Sequence, residues 1–120
     1  MKKIFIICKV REDSVDYISK LQKYTKKLER KGHQIHLPHR DTYQKGSSLE
    51  INLQNFSAIY SADEVHIFYN SKSQGTHFDL GVSFALKKKI VIVENEVYNP
   101  SVKSYAKFLD EYVEFFNKKN

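Results

Sequence analysis

The stretch "SKSQGTHFDLG", residues 71–81, gathers the groups in this chain that could do chemistry. Ser73, Gly75 and Thr76 stand where a helix would begin, and the free N–H groups and dipole of such a start suit an anion or a polar ligand. The spacing is neither G-x-x-x-x-G-K-[ST] nor G-x-G-x-x-G, so neither familiar nucleotide loop is present. Asp79 follows on a narrow polar strip with Ser83 and Lys87, on a helix whose apolar residues cover most of its other sides. Two roles are open to it. It complements the dipole from the helix's first turn, or it faces a pocket as nucleophile, base or hydroxyl anchor. His77, beside the turn, could donate to a base or phosphate, or simply be solvated at the helix start.

Arg11, Arg40 and Lys72 fall on loops at the same end of the expected sheet. Arg40, in "PHRD", is the best placed to anchor a phosphate, because a guanidinium grips phosphate through two parallel hydrogen bonds. An ion pair with Asp41 or a surface carboxylate is its equal alternative. His33, His36 and His39 recur every third residue, but strand alternation sends His33 and His36 to opposite faces, so no metal site is expected. His66 reads as a hydrogen-bonded core histidine. Cys8, within "IFIIC", reads as a small buried hydrophobe.

The elements that must position these groups follow from the periods. Lys2 to Val10 is a strand with a nearly continuous apolar centre, as found when both faces of a sheet are covered. Val15, Ile18, Leu21 and Leu28 then mark a helix, with Asp13 as its cap and Gly32 at its left-handed end. "HQIHLP" is a second strand stopped by Pro38, and residues 39–47 form a loop. Ser47 and Glu50 have the capping-box spacing, and Leu49, Leu53, Phe56 and Tyr60 mark one face of the helix they start. "EVHIFY", "THFDLGVSFALKKK" and "KIVIVE" give strand, helix and strand. After a turn at Asn99-Pro100, Val102, Tyr105, Leu109, Tyr112 and Phe116 line a closing helix. Regular alternation of strand and helix predicts an α/β three-layer domain with a mainly parallel sheet, whose ligands sit beyond the carboxyl ends of the strands.

Composition narrows the function classes. At 120 residues with 41% hydrophobic content, residues 1–120 make one domain with one core. The net charge of +6 comes from lysines scattered along helical faces with no recognised binding motif, so a nucleic-acid polymer is not expected. A positive field suits an anionic small molecule. The single cysteine excludes an intramolecular disulfide, and "IFII" is too short for a signal core or a membrane span, so a cytoplasmic protein without a membrane partner is expected.

The constellation "SADEVHIFYNSKSQGTHFDLGVSFAL" resembles the nucleoside 2-deoxyribosyltransferase family and the related nucleoside 5'-monophosphate N-glycosidases. "KKIFIICKV" looks like that family's first strand and "GHQIHLPHRD" like its second; the acid-Leu-Gly turn is the most specific element. The resemblance implies a flavodoxin-like parallel sheet of four to five strands, a nucleoside or nucleotide as partner, no cofactor, and a homo-oligomer whose sites borrow residues from the neighbour. It implies cleavage or transfer at the N-glycosidic bond, with the carboxylate at Asp79 attacking the anomeric carbon and Asp63 helping the leaving base. Phe5 and Asn70 stand where that family has site residues, and with Arg11, Arg40, Ser73, Gly75, Thr76 and His77 they make up the expected substrate contacts. The chain departs from the family pattern in four places. The nucleophile is usually glutamate, Phe5 stands for a tyrosine, Asn70 for a further acid, and Cys8-Lys9 for a glycine-containing turn. A pocket that binds a nucleotide or nucleotide-derived signal without turning it over is the alternative these departures raise. The aromatic last helix, with Phe108 and Phe115 flanking its stripe, is a candidate interface.

Overall fold

A computed structural model describes residues 1–11, 13–96 and 104–119; Asn99-Pro100 and Val102 lie outside that set. The elements in order are β1 (Lys3–Ile7), α1 (Val15–Arg30), β2 (Gln34–His36), α2 (Pro38–Asp41), α3 (Ser48–Ser61), β3 (Glu64–Asn70), α4 (Gln74–Ala85), β4 (Lys89–Glu96) and α5 (Tyr105–Lys119). The described strands form one parallel sheet of four, ordered β2-β1-β3-β4. No described helix is long and apolar enough to cross a membrane.

Alternation along β1 divides the core. Phe5 and Ile7 point to the layer of α3, α4 and α5, where Ile59, Leu80, Leu109 and Tyr112 meet them. Ile4, Ile6 and Cys8 point to α1, where Leu21 and Leu28 pack. The α1 stripe is as its period predicts, except that Val15 at the helix start is exposed.

Helix ends show how local chemistry sets the boundaries. Ser14, not Asp13, caps α1 by accepting from the Tyr17 N–H; Asp13 is engaged elsewhere. Gly32 follows α1 with φ of +92°, a left-handed conformation that glycine adopts without a Cβ clash. Ser47 and Glu50 form the expected capping box on α3. Residues 39–41, within the expected loop, wind with Pro38 into the short helix α2; the proline sits in its first turn, where a missing N–H costs nothing. The helix predicted over Thr76–Lys89 begins at Gln74 under the Ser73 cap and ends at Ala85, after which Lys87 takes φ of 55°.

Two helices turn polar residues to the core, and α3 faces opposite to its apolar stripe. On α3 the expected inward residues Leu49, Leu53, Phe56 and Tyr60 are all exposed, while Asn55 and Ile59 are buried. On α4 the buried face is Thr76, Asp79, Leu80 and Ser83, and Phe78 and Phe84 are half exposed. The closing helix is mostly consumed by the core: Phe108 and Phe116 pack against it, leaving Tyr105 and Phe115 exposed. The wider exposed apolar face lies on α3.

Candidate active site

Strand order reverses between β1 and β3, and in such sheets the chain diverges there to leave a crevice. A cavity of about 680 Å³ opens at that point, within the range of small-molecule sites. One wall is the end of β1 and the turn after it, Cys8 to Arg11. A second is the start of α3, with Ile51, Asn52 and Asn55. The third is the turn into α4, from Lys72 to Gly75, with Phe78 and Asp79 behind it.

Asp79 is the single acid on this wall among the described residues, and it is only 5% exposed. It lies in the second turn of α4, because the helix starts two residues earlier than its sequence suggests. The dipole reading therefore loses its basis, since that field fades within the first turn. Ser83 donates to the Asp79 main-chain carbonyl at 2.8 Å, leaving the carboxyl untouched. Burial pushes that carboxyl up from its ordinary 3.8 to about 7. At neutral pH it is thus divided between an acid form, which can donate a proton, and a carboxylate form, which can accept one or attack within this cavity.

The cavity brings Asp79 together with Ser73, Gly75 and Arg11. Ser73 caps α4 by accepting from the Thr76 N–H at 3.2 Å, and a side chain at Gly75 would meet only open space. The remaining expected contacts lie elsewhere. Asp63 is at the amino edge of β3, where its carboxylate accepts from the Lys3 N–H at 2.8 Å. A seven-residue strand at about 3.3 Å per residue places it on the order of 20 Å from the cavity. Phe5 is fully buried and stacks on His36, with ring centres 5.2 Å apart. Arg40 turns away from the cavity to Asp41, at 2.8 Å, and to Glu29, at 3.2 Å; those partners hold its pKa further up, so the ion-pair alternative is the one formed.

Asn70, Thr76 and His77 shape the turn without lining the cavity. Asn70 accepts from the Lys72 N–H at 2.9 Å. Thr76 is wholly buried and its hydroxyl has no partner among the described residues. His77 donates from Nδ1 to the Ser73 carbonyl at 2.7 Å, so its Nε2 accepts from the Tyr69 hydroxyl at 2.8 Å. Its ring also packs on Tyr105.

Two groupings were not visible in the sequence. Cys8 Sγ lies 3.8 Å from His39 Nδ1, and His39 Nε2 lies 2.7 Å from Asp13. That is the order of a thiol, a base and an orienting acid. Burial and the nearby Asp13 and Asp79 carboxylates push the Cys8 thiol far up, so it keeps its proton, and the grouping fastens α2 to the turn after β1. The other is a chain from His36 through Thr42 to Asn55, each link 2.7 Å long. The partners are up to 19 positions apart in sequence, on a strand, a loop and a helix, and no local period links them.

No protein-family model matches the sequence, and no curated protein sequence matches it. Solved structures do. A CMP N-glycosidase from Clostridium botulinum, BcmB, superposes with a TM-score of 0.60 at 22% identity, covering 92% of this chain and 100% of its own. The chain shares its fold. A 2-deoxyribosyltransferase from the psychrotolerant Bacillus psychrosaccharolyticus superposes with a TM-score of 0.62 at 20% identity, over 81% of this chain and 77% of its own. The flavodoxin-like α/β architecture implied by the sequence resemblance is thus the architecture observed, with four strands among the described residues.

Proposed function

We propose that this protein cleaves or transfers across the N-glycosidic bond of a nucleoside or nucleotide, with Asp79 as nucleophile. The observation that carries this reading is a single buried carboxyl, poised near 7, at the back of a nucleoside-sized cavity in this fold. The ionised Asp79 attacks the anomeric carbon, a carbon–oxygen bond forms, and the carbon–nitrogen bond breaks with its electron pair leaving on the base. Water or a second base then displaces the carboxylate. Ser73 and the start of α4 supply donors, and Arg11 and Lys72 at the cavity favour an anionic substituent such as a phosphate.

A second reading, a nucleotide-binding module without turnover, draws on the position of Asp63. With it at the far edge of the sheet, no second acid on the described wall helps the base leave. Incubation with nucleosides and their monophosphates, followed by chromatography of released base, separates the two. Release that disappears in Asp79→Ala and partly persists in Asp79→Glu supports the enzyme; release unchanged in Asp79→Ala removes Asp79 from the mechanism. Ligand-dependent thermal stabilisation without release supports the binding module. A homo-oligomer belongs to the same reading, and the exposed outer face of α3 gives it apolar area to cover. Light scattering that finds only monomer excludes it.

A further inference from the structure

The buried polar chain behind α3 ends in the cavity, and its hydrogens can be assigned. Thr42 donates its hydroxyl proton to Asn55 Oδ1 at 2.7 Å. With that proton spent, its oxygen can only accept from His36 Nε2, 2.7 Å away, so that ring nitrogen carries the hydrogen. His36 is held by the stack on Phe5, 5.2 Å between centres with the planes 16° apart. Thr42 is 4% exposed and Asn55 7% exposed, so water competes weakly for these bonds.

Asn55 is therefore held by its oxygen. Its amide nitrogen has no partner among the described residues, and the residue lines the cavity. With its oxygen turned to Thr42, the side chain leaves its amide N–H donors as the groups open to a ligand. Ile51 and Phe78 line the same cavity and offer apolar surface for a ring to lie against.

We propose that Asn55 sets base specificity, as a fixed donor that accepts bases with a ring-nitrogen acceptor and rejects those with a ring N–H at the same place. This rests on the nucleotide reading above. Cytosine and adenine satisfy such a donor through an unprotonated ring nitrogen. Uracil and hypoxanthine present an N–H to it, which leaves two donors facing each other and neither paired. Phe5, although remote from the ligand, becomes a positioning residue through His36 and Thr42.

The test is equilibrium binding of two pairs of monophosphates, CMP against UMP and AMP against IMP, the members of each pair differing by an amino or oxo group. The wild-type protein is expected to bind CMP and AMP about tenfold more tightly than their partners, a discrimination ordinary for paired against unpaired base contacts. Asn55→Asp keeps the bond from Thr42 but turns an acceptor to the ligand, so the preference should invert. Thr42→Val frees the amide to rotate and should narrow the preference to about twofold. Equal binding within both pairs, or tighter UMP and IMP, overturns the assignment of Asn55 while leaving the nucleotide reading intact. Preference retained in Asn55→Leu overturns it as well. Failure of the wild type to bind any monophosphate overturns the nucleotide reading, and this inference with it.

Discussion

On the α1 face of the sheet Leu21 and Leu28 are seated on Ile4 and Ile6 as their period predicts, with Thr25 and the hydrogen-bonded His66 buried beside them. On the opposite face, α3 and α4 turn polar residues inward, burying Asn55, Thr76, Asp79 and Ser83 while Leu49, Leu53 and Phe56 stay outside. The first arrangement is what minimising exposed apolar area gives. The second forgoes part of that stabilisation, and it does so on the two helices that wall the cavity. Local rules broken side by side at one cleft are a mark of a site.

The largest effect that can break this contrast comes from truncating the α1 stripe. Leu21→Ala should cost about 2–5 kcal/mol by urea unfolding, the usual penalty for a buried leucine, whereas Leu53→Ala on the outer face of α3 should stay within about 0.5 kcal/mol. A comparable cost at Leu53 means that face is covered in solution.

The next effect sharpens what the polar face costs. Below its ordinary 3.8, Asp79 is protonated in folded and unfolded chains alike; from there to about 7 only the folded chain holds the proton. The stability this group contributes is therefore full at acid pH, declines as pH rises through that window, and is flat above it. Asp79→Asn should abolish the decline and raise stability at pH 8 by roughly 4 kcal/mol, read from urea midpoints across pH. A slope unchanged by the substitution assigns it to another group.

A smaller effect concerns how α3 is started. Ser47→Ala removes the hydroxyl that accepts from the Glu50 N–H at 3.1 Å, and should cost about 1 kcal/mol in the same assay. A loss much below this means that α3 is held by its packing against α4 rather than by its cap.

The contrast also explains what could be read in advance. The parallel sheet, the α1 stripe, the Ser47–Glu50 box and the left-handed Gly32 follow from local chemistry and were legible. The facing of α3 was not, because its apolar period is intact and only the tertiary arrangement decides which side meets the sheet. Asp79 was identified by its turn, but its depth depended on two further residues of helix at Gln74 and Gly75. Arg40 had two equal partners in sequence, and the carboxylates of Asp41 and Glu29 decided between them. The link from His36 to Asn55 joins three elements through side chains alone, which no period encodes.

The central claim, that the buried Asp79 carboxylate attacks the substrate, is tested most directly by the pH dependence of base release. As the nucleophile must be ionised, kcat/KM should rise with pH and level off above about 7, the value to which burial brings this carboxyl. A rate that is greatest near pH 5 and falls as Asp79 ionises contradicts the account.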